Sequence, residues 1–256
     1  PRDGYRSRAV APAITDEHQT LRLGMRAENG AIDLGRCPVQ TLECRTLISK
    51  LERSLNELKL RPYDPETRTG ELRHVVVEGP VEAGPTTAPR LPEHERSRIT
   101  LCFGRPVSFD GLVRGIIEDG DDITLLADIL PFRSPGLLCK PTALHGSGSV
   151  DMRIGDDWLR ATLPAWTPQT PDTVPLIRLC LLDALKGQGE STVLEIGCGV
   201  GTNSLPIARA VRRLVGVDRC RAAIDDARFN AERAGVTNCE FRVGDAARAL
   251  PRQRRR

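Results

Sequence analysis

The run Ser191–Ala210, STVLEIGCGVGTNSLPIARA, limits the folds open to this chain more than any other segment. Thr192–Ile196 is a short apolar strand carrying one acid, Glu195. Gly197, Gly199 and Gly201 follow at alternate positions, and Asn203–Ala210 then opens a helix. Glycines at this density let the backbone turn tightly and leave it bare, so that a ligand can approach it. A dinucleotide-binding turn would read G-x-G-x-x-G. Here the spacing is G-x-G-x-G, Thr202 stands where the third glycine would fall, and an acid precedes the first glycine by two residues.

Two further acids extend the pattern. Leu214–Val217 is a second strand ending at Asp218, and Cys239–Val243 is a third, followed by Gly244-Asp245. With a helix over Asp172–Leu185, the order strand, helix, strand, helix, strand predicts a parallel sheet. An acid at the carboxyl end of each strand resembles the cofactor site of S-adenosylmethionine-dependent methyltransferases, whose ligand carries no pyrophosphate. The resemblance implies that Asp218 receives the ribose hydroxyls and Asp245 the adenine amino group. A cap of the segment 246–250 is the competing reading of Asp245.

The first part of the chain reads differently. Residues 1–40 alternate short apolar runs with polar turns, as β-structure does. Thr41–Leu60 places Leu47, Ile48, Leu51, Leu55 and Leu58 on one face of an amphipathic helix. Glu71–Val77 is a strand, and residues 79–95, with Pro80, Pro85, Pro89 and Pro92, form a loop or linker. Strands are expected over 97–103, 112–117 and 123–130, and a hairpin over 150–163 turning at Gly155-Asp156.

At this point a narrower resemblance emerges. RRLVGVDRCRAAIDDARFNAERAGVTNCEFRVGDA is similar to the RNA 5-methyluridine (uracil-C5) methyltransferases acting on tRNA and 23S ribosomal RNA. PRDGYRSRA, GRCPV around Cys37 and RPYDPETRTGELRHVVV resemble that family's central RNA-binding region. WTPQT at Trp166–Thr170 stands where the family has an aromatic-Gln-x-Asn element, although Pro168 and Pro171 depart from it. The resemblance implies a β-rich α+β RNA-binding domain over 1–163. Over 164–256 it implies the N-terminal half of a class I, Rossmann-like methyltransferase domain, incomplete at its C-terminal end. It further implies that Gln169, Glu195, Gly197, Gly199, Gly201, Asp218 and Asp245 surround S-adenosylmethionine, and that Arg6 and Arg8 face RNA, with plain surface solvation the alternative for each arginine. Cys37 matches a cysteine that binds an iron–sulfur cluster in some ribosomal RNA members. Such clusters are bound by four thiolates, so here a small buried residue is the expectation and no metal is assigned.

Uracil C5 is too weak a nucleophile to take a methyl group unaided. The family adds a Cys thiolate at C6 and removes the C5 proton with a carboxylate. The segments supplying both lie after the family's third strand, so neither catalytic residue is assigned here. The eight cysteines contain no C-x2-C pair and are expected to be reduced and mostly buried. The chain is therefore expected to be a fragment of such an enzyme or a shortened relative acting by RNA binding, as a non-catalytic RNA-binding protein or chaperone. A methyltransferase of small molecules or proteins is the third alternative. The chain does not begin with Met, and an upstream start is expected. At 39% hydrophobic and 28% charged, with no apolar run near the ~20 residues of a membrane span, a monomer with no membrane association is expected, in the cytoplasm or an organelle. The 37 basic residues include only four lysines; arginine's planar fork suits phosphates, and a GC-rich genome gives the same bias.

Overall fold

The computed structural model describes residues 3–28, 30–87, 96–130 and 140–249. Contacts divide the chain into two units. The first comprises residues 1–81, 91–150 and 168–171, and the second residues 82–90, 151–167 and 172–256.

The first unit is built on a seven-stranded sheet. Its strands are β1 (Arg8–Thr15), β2 (Leu21–Ala27), β3 (Gly30–Asp33), β4 (Leu72–Glu78), β6 (Ser97–Phe103), β7 (Ile123–Ile129) and β8 (Thr142–His145), in the order β3-β2-β1-β4-β6-β7-β8. Only β6 and β7 among these run parallel, and β6 is buried at every position. Helix α1 (Leu42–Glu57) starts at Thr41, whose hydroxyl caps it by accepting from the Cys44 N–H. Its buried residues Cys44, Ile48, Leu51 and Leu55 recur every three or four positions, one face of a helix, and join the core beneath the sheet.

One expected strand is a helix. Residues 112–117 alternate weakly, but Leu112–Ile116 forms α2. Phe109 packs on Phe103 with ring centroids 5.9 Å apart, and Leu112 and Ile116, four residues apart, are both buried. Helical spacing satisfies that burial; a strand would bury alternate residues.

In the second unit, β11 (Thr192–Ile196), β12 (Arg213–Asp218) and β13 (Cys239–Val243) pair in parallel, in that order. Helices α4 (Ser204–Ala210) and α5 (Arg221–Arg233) make the crossovers. The expected alternation is thus present. A close approach at Gly216 fixes the packing: a Cβ there would lie 2.7 Å from the Phe241 ring. Strand β11 is an edge of this sheet among the described residues, and Leu194 and Ile196 stay exposed on it. Helix α3 (Thr173–Ala184) likewise exposes Leu176, Ile177 and Leu179.

A second three-stranded sheet contains β9 (Ser149–Ile154) and β10 (Asp157–Thr162), the expected hairpin, with the two-residue β5 (Glu82–Ala83) beside β9. The boundary expected at 163/164 falls inside the second unit, because most of this hairpin packs there. Arg160 Nε and the Thr162 N–H both donate to Asp226 of α5, at 2.7 and 2.6 Å. Residues 250–256 lie outside the described residues, as do residues 88–95 of the proline-rich segment.

Candidate functional site

The carboxyl ends of β11, β12 and β13 gather the acids. Glu195 is the penultimate residue of β11, Asp218 the last of β12, and Asp245 lies two residues past β13. In open parallel sheets, ligands bind in the crevice outside these ends.

Between β11 and α4 the chain turns through Gly197, Gly199 and Gly201, with φ of 75°, 55° and 87°. These values are left-handed and disfavour any side chain with a Cβ. A Cβ built on Gly197 or Gly199 meets nothing within 4 Å, whereas one on Gly201 would touch Ala227. Gly197 and Gly199 thus face open space and Gly201 packs inward. The Gly197 N–H donates to the Val217 carbonyl (2.7 Å), which anchors the turn to β12.

Each acid already has a partner. Asp218 Oδ2 accepts from the Gly199 N–H (2.9 Å) and Oδ1 from the Cys220 N–H (2.8 Å), so Asp218 shapes the turn as well as standing at its mouth. Glu195 Oε2 accepts from the Ser204 hydroxyl at 2.6 Å. Burial raises the Glu195 carboxyl above its ordinary value, and the Ser204 hydrogen bond opposes that shift. Asp245 Oδ1 accepts from the Ala247 N–H (2.9 Å), capping the short helix α6 (Ala246–Ala249). Its other oxygen lies 4.0 Å from Arg219 Nε. Capping is therefore one role Asp245 has, and its side chain is half-exposed.

The remaining expected site residues lie in the first unit. The Gln169 carbonyl accepts from the Ser7 N–H at 3.0 Å. Arg6 is exposed. Arg8 is turned inward, its Nε 3.8 Å from Glu78, a buried carboxylate that also receives Arg98 Nε at 2.6 Å. Cys37 ends a 3-10 turn over Leu34–Arg36 and packs partly against the core. No group of three or more His, Cys, Asp or Glu among the described residues could hold a metal ion.

The thiols are less uniformly buried than expected. Cys44, Cys102 and Cys198 are buried, Cys37, Cys220 and Cys239 are half-buried, and Cys180 is exposed. Burial pushes the thiols of Cys44, Cys102 and Cys198 up to about 12, which keeps them protonated at neutral pH. Cys139 lies outside the described residues.

Sequence reasoning passed over two residues behind the turn, Arg178 and Asn230. Arg178 is the one charged residue between Thr173 and Leu182 in an apolar helix, and a cation there has to find partners when buried. That was the available signal. Asn230 gave none.

A family profile described as a methyltransferase domain matches residues 188–255. Proteins described as uncharacterized RNA methyltransferases match far more of the chain. One from Enterococcus faecalis is 28% identical over 229 residues, covering 86% of this chain and 47% of the relative. One from Halalkalibacterium halodurans is 26% identical over 255 residues, covering 96% and 53%. Among solved structures, the Pyrococcus abyssi tRNA (uracil-54, C5)-methyltransferase in complex with S-adenosyl-L-homocysteine aligns with a TM-score of 0.73. That alignment has 19% identity and covers 96% of this chain and 56% of that one. The chain shares the fold of that structure. The resemblance runs through both units and is not confined to the glycine turn, and the three-strand parallel sheet is the Rossmann-like part of that fold. The chain spans about half the length of the curated relatives it matches. Among the described residues, no helix is long and apolar enough to cross a membrane.

Proposed function

We propose that this chain is the RNA-binding region and cofactor-binding half of an S-adenosylmethionine-dependent RNA methyltransferase that forms 5-methyluridine in tRNA or 23S ribosomal RNA. The observation that carries the reading is the turn between β11 and α4. Its two outward glycines leave open space, and carboxylates flank it at the ends of the parallel strands. That donor set fits S-adenosylmethionine. The bare backbone accommodates a close ligand, Asp218 and Asp245 can accept from ribose and adenine, and Glu195 supplies negative charge toward a sulfonium.

When bound, the cofactor supplies an electrophilic methyl group. The residues of this chain bind and orient it: the glycines by leaving room, Asp218 by holding the Gly199 amide while keeping lone pairs free. Gln169 would lie between cofactor and target base, by the resemblance. Arg6 would meet RNA phosphates, whose neutralisation releases counterions and makes affinity fall with salt.

A thiolate nucleophile is required at uracil C6, and a low-pKa, partly exposed cysteine is the usual source. Cys44, Cys102 and Cys198 are held far from that condition. That observation removes these three cysteines as nucleophiles, and the second reading is that residues 1–256 bind RNA and cofactor without turnover.

Calorimetric titration with S-adenosylhomocysteine, and with NAD as the competing nucleotide, tests the assignment. Binding of the first and not the second is expected. NAD binding without S-adenosylhomocysteine binding would overturn it.

A further inference from the structure

Two carbonyls on the inner side of the glycine turn are held by side chains from outside it. The Val200 carbonyl accepts from Asn230 Nδ2 at 2.9 Å. The Thr202 carbonyl accepts from Arg178 Nε at 3.0 Å and again from Nη2. Neither donor belongs to β11 or α4: Asn230 is on α5 and Arg178 on α3.

Both donors are also fastened to the β9–β10 hairpin. Arg178 Nη1 donates to the Ile154 carbonyl at 2.8 Å and lies 3.0 Å from Asp157 Oδ2. The other Asp157 oxygen holds Arg209 of α4 at 2.8 Å. Asn230 makes a reciprocal pair with Arg160: its Oδ1 accepts from the Arg160 N–H (2.8 Å) and its Nδ2 donates to the Arg160 carbonyl (3.0 Å). Arg178 is 9% exposed and Asn230 0%, so these bonds form where water competes little and leaving one unmade is costly.

The geometry points to Arg178 and Asn230 as positioning residues for the cofactor turn: they fix it to the β9–β10 hairpin in the conformation that leaves Gly197 and Gly199 open. The ligand needs the outward side of the turn bare, so rigidity has to come from behind. Alternate carbonyls, at 200 and 202, are pinned inward while the Gly199 amide is pinned by Asp218. A loop already in its bound shape has less conformational freedom to lose when a ligand arrives. The hairpin is thereby part of the cofactor site without touching the open face of the turn. The inference rests on the proposed cofactor reading, but the clamp can be tested without any ligand.

The experiment compares Arg178→Lys and Arg178→Met with the unaltered protein. Lysine keeps a cation beside Asp157 but lacks the fork that reaches the Thr202 carbonyl, the Ile154 carbonyl and Asp157 together. Hydrogen exchange is read at the Gly199 and Gly201 amides against those of Val215 and Val217 in β12, and affinity for S-adenosylhomocysteine is read by calorimetry. For Arg178→Lys, exchange at the turn should accelerate about tenfold with β12 unchanged, a local opening and not a global one. Affinity should fall by about five- to tenfold, with Arg178→Met at least as impaired. Should Arg178→Met fail to fold, the lysine variant decides. Uniform acceleration through β12, or exchange at the turn equal to that of the unaltered protein, would overturn the clamp. If the unaltered protein binds no S-adenosylhomocysteine, the cofactor reading fails separately and exchange alone decides.

Discussion

Replacing Gly199 separates what the glycine turn does for folding from what it does for a ligand. Its φ of 55° is left-handed, and a Cβ built on it meets nothing within 4 Å. Gly199→Ala therefore introduces no collision, and its penalty in the free protein is conformational, about 1–2 kcal/mol. For a chain of this size that lowers Tm by roughly 2–4 °C per kcal/mol, so a drop of about 2–8 °C is expected. Gly199→Val adds β-branching, and its methyl groups extend into the space the ligand needs. Affinity for S-adenosylhomocysteine should then fall by more than about 100-fold, equivalent to roughly 2.7 kcal/mol. Gly235→Ala is the matched control. That glycine has φ 65° and equally empty surroundings, but it follows α5 at the opposite end of the parallel sheet. It should lower Tm by a similar amount and leave affinity alone. Thermal unfolding and calorimetry on the three variants give both quantities. A folded Gly199→Val protein with unchanged affinity would refute the assignment of this turn.

Three further outcomes follow from the same structure. Burial raises the Glu195 carboxyl, so its contribution to stability is full below the ordinary value of 4.5 and is lost as pH rises through the folded value; Glu195→Gln should therefore raise Tm at neutral pH, leave it unchanged near pH 4 and weaken binding of S-adenosylmethionine more than that of S-adenosylhomocysteine, which has no sulfonium, and thermal unfolding at the two pH values checks the sign. Arg6→Ala should weaken RNA binding and flatten its salt dependence by roughly one unit in a filter-binding series. Arg8→Ala should instead lower Tm, because Arg8 faces buried Glu78; equal effects of the two on RNA would contradict that division. Residues 1–256 incubated with tritiated S-adenosylmethionine and unmodified tRNA or ribosomal RNA should yield no 5-methyluridine at turnover. Catalytic product would mean that one of the cysteines acts as nucleophile, and Cys→Ser changes would start with the exposed Cys180, the half-buried Cys37, Cys220 and Cys239, and Cys139.

Much of the second unit was legible because its signals are local. Strand β11, its glycine turn and α4 are contiguous, and the acids at 195, 218 and 245 are placed by the strands that precede them. The same holds for α1, where the apolar stripe and the Thr41 cap lie within one stretch. Reading failed where partners are distant in the chain. Residues 112–117 became a helix that buries Leu112 and Ile116 in the common core and brings Gly115 against Leu58, more than 50 positions earlier. Arg178 and Asn230 went unnoticed because their meaning depends on carbonyls at 154, 160, 200 and 202, which no periodicity connects. Arg8 matched a basic position in the resemblance, yet Glu78 is 70 residues away in sequence and turns it inward.

The interleaving of the two units governs how this protein can be taken apart. The backbone enters the second unit at residue 82, leaves it, re-enters at 151, leaves again for 168–171 and returns at 172. A shorter polypeptide starting at Pro164 would contain every glycine of the turn and the acids at 195, 218 and 245. It would lack the strands to which Arg178, Asp226 and Asn230 are bonded, leaving three buried polar side chains without those partners. A cut has to fall before β9 to keep those partners, and even then the two-residue β5 beside it is lost. Dissection by deletion would report a loss of binding even where every contacting residue survives, and domain exchange with a relative has to carry residues 151–167 along with the Rossmann-like half.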